Sequence, residues 1–213
     1  GVREIACDQF ATGSDQPAAA TKGACTWQVE ESAAFVKVKG AALTAIFNSK
    51  MGTLVSLEDA KGQKKIASAV YPEFWRAPID NDRGNKFDKR CGVWRTAGRK
   101  AKCTSFKVEQ TQKGGCVVKA VFDVPAGASK AEVTWTFAPG ATSVAMSEVF
   151  TAAKGQPELP RVGVTFTVPD RFRQVQWAGF GPHENYCDRA TSAMYGLWTA
   201  NVGLERGIAP VNH

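Results

Sequence analysis

AEVTWTF, residues 131–137, puts Ala131, Val133, Trp135 and Phe137 on one side of an extended chain and Glu132, Thr134 and Thr136 on the other. Period-two alternation of β-branched and aromatic residues marks a strand with one face in a core and one in water. RVGVTFTV, residues 161–168, repeats it with Val162, Val164, Phe166 and Val168 against Arg161, Thr165 and Thr167. Weaker runs of the same kind lie at Phe35–Val38, Leu43–Asn48, Thr53–Leu57, Phe106–Gln110, Cys116–Val124 and Ser143–Phe150. Turn chemistry separates them at Lys113-Gly114-Gly115, Pro125-Ala126-Gly127, Ala138-Pro139-Gly140 and Pro157–Pro160. No window carries a capped 3.6-residue stripe, so helices should be few and short. Strands at roughly ten-residue spacing predict an all-β fold, a sandwich of antiparallel sheets.

At 213 residues the chain is long enough to bury a sizeable core, and 44% hydrophobic with 22% charged residues is ordinary globular composition. No apolar run reaches the roughly 18 residues that span a bilayer, so no membrane partner is expected. The first residues lack the pattern of a secretion signal. That leaves cytoplasm and periplasm both open. Cys7, Cys25, Cys91, Cys103, Cys116 and Cys187 include no C-x-x-C pair, and the only histidines are His183 and His213, so no metal site is written here. Cys116 reads as a small buried residue inside a strand, and no disulfide framework is expected.

Charge is uneven. Residues 83–107 carry nine Lys or Arg against Asp88 alone, so this block accounts for more than the whole net charge of +7. Such a block can attract polyanions. It can equally be a solvated face or a patch meeting another domain. Its aromatics, Phe87, Trp94 and Phe106, are not spaced as a stacking platform, so nucleic acid is not expected as a partner.

Two polar runs interrupt the strand pattern: YPEFWRAPIDNDRGN, residues 71–85, and WAGFGPHENYCDR, residues 177–189. Loops leaving a rigid strand with many polar side chains are common places for binding and catalysis. If extended, Asp80-Asn81-Asp82 would point both carboxylates one way, toward a cation or sugar hydroxyls. Pro78, Asn81 and Gly84 favour the other reading, in which these side chains hold a non-repetitive loop by bonding nearby backbone. His183 and Glu184 could act as acid and base on a sugar ring. Adjacent strand residues point apart, however, which favours a polar network of Glu184 and Asp188 with Arg189, bridged by Asn185. Of the tryptophans that could stack on a sugar, Trp177 shares a strand face with Val175 and reads as core, while Trp75 reads as partly exposed.

Residues 1–12 contain one strand-like piece and residues 13–22 have linker composition. A lone strand cannot bury a face of its own. The residues after Trp198 carry no strand pattern, and the chain reads as cut at both ends.

FWRAPIDNDRGN (residues 74–85), LPRVGVTFTVP (159–169) and GPHENYCDR (181–189), in this order, resemble the small-chain domain of β-galactosidases of retaining glycoside hydrolase family 2. FNSKMGTLVSL (47–57) resembles the opening hairpin of that domain, and REIACDQF (3–10) the closing strand of the immunoglobulin-like domain before it. The resemblance spans residues 3–198. It implies that residues 1–12 end a preceding domain, 13–22 link, and 23–213 form a β-supersandwich similar to galactose mutarotase, incomplete at its C-terminus. Ala178 and Phe180 differ from the usual residues before the GPxENY motif, and Glu205, Arg206 and Gly207 only faintly match the strand that normally follows Ser192 to Gly196.

Retaining hydrolysis needs two carboxylates about 5 Å apart. The family carries them on a barrel that this chain lacks, so the resemblance implies no catalytic residue here. It implies a supporting domain of an enzyme acting on terminal β-D-galactosides such as lactose. Gly84, Asn85, Lys86, Phe87, Asp88, Lys89, Arg90, Cys91 and Gly92 would form a loop beside the active site. Arg76, Asp80, Asn81, Asp82, His183, Glu184, Asn185, Tyr186, Asp188 and Arg189 would form the structural network. No cofactor is implied for this chain, Mg²⁺ and Na⁺ are implied for the whole enzyme, and so is a homo-oligomer. The alternative is a free-standing sugar-binding or mutarotase-like protein.

Overall fold

A computed structural model describes residues 26–183 and 193–202, in two compact units that divide between Pro169 and Asp170. In the larger unit β1 (Gln28–Glu31), β2 (Phe35–Lys39), β3 (Leu43–Asn48) and β4 (Thr53–Asp59) form one antiparallel sheet in chain order. A short strand, β5 (Tyr71–Glu73), follows, then α1 (Asp80–Gly84), α2 (Phe87–Arg90) and a 3₁₀ turn, Gly92–Thr96. A second antiparallel meander contains β6 (Lys102–Gln110), β7 (Cys116–Val124), β8 (Ser129–Phe137) and β9 (Ala145–Thr151). The short strand β10 (Gly163–Thr165) returns to pair with β5.

The expected alternation holds in β7 and β8. Val118, Ala120, Phe122, Ala131, Val133, Trp135 and Phe137 are buried, while Lys119, Glu132 and Thr136 face out. Phe47 of β3, fully buried, meets Trp135 at 5.9 Å and Phe137 at 6.2 Å, which locks the two large sheets face to face. The Trp27 indole N–H donates to the Ala138 carbonyl at 2.8 Å, so its ring packs edge-on against Phe137 without stranding a donor. A side chain such as Phe47 contributes about 3 kcal/mol by burial, and truncating it to Ala leaves a cavity costing roughly 3–5 kcal/mol. This is the antiparallel β-sandwich that the alternation predicts.

The run 161–168 is shorter as a strand than its pattern. Only Gly163–Thr165 pair, and Val162, Phe166 and Val168 are 51, 48 and 45% exposed. The reason lies in the partner. β5 has three residues, one of them Pro72, opposite Val164, and proline has no N–H to extend a ladder.

The smaller unit contains an antiparallel ribbon of β11 (Gln174–Gly181) and β12 (Met194–Asn201). Trp177, expected in a core, is only half-buried and sits opposite Trp198. β12 continues past Trp198, because Thr199, Ala200 and Asn201 complete the register opposite Gln176, Val175 and Gln174. Residues 1–25, which hold the strand expected at 1–12 and the linker expected at 13–22, and residues 184–192 and 203–213 lie outside the described residues.

Candidate functional site

Residues 71–100 form a lobe fixed to the sandwich by aromatic packing. Phe74 and Trp94 are fully buried, and Phe150 of β9 meets them at 4.4 and 5.7 Å. The Trp94 indole N–H donates to the Pro157 carbonyl at 3.2 Å. One Glu73 carboxylate oxygen accepts the Phe74 and Trp75 N–H groups at 3.1 and 3.0 Å, shaping the exit from β5.

The centre of the lobe is a buried ion pair. Asp82, 6% exposed, takes both terminal nitrogens of Arg76, one through Nη2 to Oδ1 at 3.0 Å. Its Oδ2 also accepts the Ile79 N–H at 2.9 Å, which fixes the first turn of α1. The Arg76 guanidinium beside it, and then the Ile79 N–H, hold the Asp82 carboxyl below the usual carboxylate range against the opposing effect of burial.

The segment is helical here rather than extended, so Asp80 and Asp82 do not point the same way. Asp80 lies at the surface, 96% exposed, and pairs with Arg83 at 3.2 Å. They therefore do not form the shared cation site considered for an extended chain. Asn81 is exposed as well.

Phe87 anchors the following turn. Its ring is 3% exposed, 5.1 Å from Trp75 and 4.8 Å from the Arg76 guanidinium carbon. Arg95 covers Trp75 at 5.5 Å. Arg76, Phe87, Trp75 and Arg95 thus form one stack, in which cation–π contacts add roughly 0.5–1 kcal/mol each. Trp75 is half-buried with rings or guanidinium against it, which disfavours its use as an open sugar platform.

Lys86, just before Phe87, takes the left-handed conformation at φ 61° and ψ 34°. That costs a non-glycine residue about 1 kcal/mol and persists only where neighbours impose it. Here the neighbours are the Phe87 anchor on one side and Asn85, whose N–H donates to the Asn81 carbonyl at 3.2 Å, on the other. Along residues 84–92, Gly84, Asn85, Lys86, Asp88, Lys89 and Arg90 are exposed; Phe87 and Cys91 face inward and Gly92 is half-buried. Arg90 bonds Asn85 Oδ1 at 3.2 Å and forms an ion pair with Glu158.

The basic block follows the same surface, and all nine of its Lys and Arg residues are exposed. Arg99 lies over Tyr71 at 5.8 Å, whereas Phe87 and Trp94 are turned into the interior. Cys91, Cys103 and Cys116 carry free thiols. Burial, and secondarily Glu31, pushes the Cys116 thiol up to about 11.

In the smaller unit, His183 is exposed, two residues past the end of β11. Glu184, Asn185, Tyr186, Asp188 and Arg189 lie outside the described residues. Two groups were not singled out by sequence. One is Phe87 as an anchor. The other is Glu148 of β9, an acid that shares the apolar side of its strand with Met146 and Phe150. That parity is the sequence signal that could have revealed it.

A family model described as Beta galactosidase small chain matches residues 39–205. The beta-galactosidase of Priestia megaterium is 31% identical over 201 residues, 93% of this chain and 19% of that protein. Those of Halalkalibacterium halodurans (32% over 161 residues, 74% of this chain and 16% of that protein) and Clostridium acetobutylicum (30% over 164 residues, 76% and 18%) are similar. The chain thus spans less than a fifth of the length of these relatives. With its sandwich, its lobe of short helices and these matches taken together, the chain belongs to the β-galactosidase small-chain family.

Proposed function

We propose that this chain works as a non-catalytic part of a larger retaining β-galactosidase that hydrolyses terminal β-D-galactosides such as lactose. The observation that carries the reading is the match to beta-galactosidases of which the chain covers less than a fifth. Retaining hydrolysis requires a nucleophile and an acid/base carboxylate about 5 Å apart. Asp80 and Asp82 diverge, and Asp82 is committed to Arg76, so they do not make that pair. The two carboxylates belong elsewhere in the parent polypeptide.

The part assigned to this chain is to hold the rim of residues 84–92 beside the substrate. Arg76–Asp82 just before that rim and the Phe87 stack within it hold it in place, while exposed Asn85, Lys86 and Lys89 are available to polar groups of a sugar. A rigid support limits the entropy lost when substrate is gripped. Mg²⁺ and Na⁺ are expected for the whole enzyme. Asp82 and Asp80 do not offer a site to either ion, since Asp82 is filled by Arg76 and Asp80 pairs with Arg83. Partners are the remaining domains of the parent chain, and the parent is proposed to be a homo-oligomer.

The test is kinetic and uses the complete parent polypeptide. Phe87→Ala should raise KM for o-nitrophenyl β-D-galactoside at least fivefold through a loosened rim, with the protein still folded. An unchanged KM and kcat would remove the rim from the substrate's surroundings.

A further inference from the structure

β9 is an edge strand: among the described residues it pairs with β8 alone. Open edges are hazardous because unpaired N–H and C=O groups template further strands, and proteins blunt them with Lys, Pro or inward charges. The seven residues AMSEVFT include no Lys and no Pro. Their single charge, Glu148, lies between Met146 and Phe150 on the side that packs into the sandwich.

The surroundings of that carboxylate are apolar. Directly across the strand pair is Val133, flanked on the same face by Ala131 and Trp135. Val133 and Trp135 share a small cavity with Tyr71, Pro72 and Val164. Both Glu148 oxygens are shielded from solvent, and neither has a hydrogen-bond partner among the described residues. An ionised carboxylate in such a place carries a large desolvation cost that a neighbouring cation offsets. On either side of β10, Val162, Phe166 and Val168 keep the parity of half-buried Val164 yet remain exposed.

We infer that the open edge of β9 receives a β-strand, from another part of the parent polypeptide, that presents a lysine or arginine beside Glu148. The inference rests on the reading of this chain as part of a larger protein. A strand docked on β9 would set its inward side chains roughly 5 Å from those of β9, within reach of an ammonium or guanidinium group. The same geometry discriminates among partners. Pairing β9 with β9 of a second copy in the centred register sets Glu148 against Glu148 on one face, and like charges there repel. The edge therefore selects a cationic strand and rejects itself.

The test uses the 213-residue chain and two blocked nine-residue peptides of alternating Thr and Val, one with a central Lys and one with a central Glu. Fluorescence anisotropy at pH 8 gives affinity, and ¹⁵N–¹H spectra locate binding. The Lys peptide should bind at least tenfold tighter than the Glu peptide, perturb amides 145–151, and lose its advantage in Glu148→Gln. If that variant does not fold, Glu148→Thr replaces it. Equal affinities, perturbation elsewhere, no binding of the Lys peptide, or self-association of the wild-type chain through β9 would each overturn the inference. Hydrolysis is not read, so failure here leaves the β-galactosidase assignment standing.

Discussion

Replacing Asp82 with Ala removes three interactions at once: two N–H groups of Arg76 and the N–H of Ile79. The Arg76 side chain is only 19% exposed, so its guanidinium would be left largely buried without its counter-ion. Breaking one side of a buried pair costs about 3 kcal/mol, because the remaining charge is uncompensated. With a urea slope of about 2 kcal/mol per M, the midpoint should fall by about 1.5 M. Far-UV circular dichroism at pH 7 measures this. The pH dependence supplies a second check. Because the folded Asp82 sits below its ordinary value of 3.8, its contribution is complete above that value and is lost as pH falls through the lower, folded one. The gap between wild type and Asp82→Ala should therefore narrow in acid. A midpoint shift under 0.3 M (about 0.6 kcal/mol at that slope), or a gap that does not narrow, would refute this account of the lobe.

Phe87→Ala, which deletes the ring held between Trp75 and Arg76, should speed tryptic cleavage after Lys86, Lys89 or Arg90 at least tenfold, read by mass spectrometry of timed digests. Glu148, raised by burial to about 7 from 4.5, binds its proton more tightly folded than unfolded, so stability should decline between about pH 4.5 and 7. Glu148→Gln should flatten that decline, by on the order of 1–2 kcal/mol after solvent screening, in urea titrations at the two ends of the window. Gly52→Ala places a Cβ 2.6 Å from Cys103 Sγ at a φ of +67°, and should lower stability by roughly 1–3 kcal/mol. Thermal unfolding followed by circular dichroism reads that loss.

The sandwich was legible in sequence because β7 and β8 are long and buried on one side only, so nearly every inward residue is apolar (Ser129 excepted) and most outward ones, Lys119, Asp123, Lys130, Glu132, Thr134 and Thr136, are polar. The β5–β10 pair was not. Tyr71-Pro72-Glu73 is three residues with a proline, and its strand character comes only from its partner. RVGVTFTV carried the opposite error, since alternation reports which side chains could be buried and not how far a partner extends. The lobe was half legible. Proline, Asn and Gly around Asp82 pointed to a structural loop, and Asp82 does cap one. Its bond to Arg76, six residues earlier, depends on a local helical turn that five residues do not announce. Phe87 looked like one aromatic in a basic run, and its anchoring role emerges only where Trp75 and Arg76 meet it.

The central claim is that the catalytic carboxylates lie outside this chain. Hydrolysis of o-nitrophenyl β-D-galactoside, compared between the purified 213 residues and the complete parent polypeptide, tests it most directly. Release of o-nitrophenol by the chain alone should equal that in buffer, and the complete polypeptide should hydrolyse the substrate. Turnover by the isolated chain, lost on denaturation, would contradict the account.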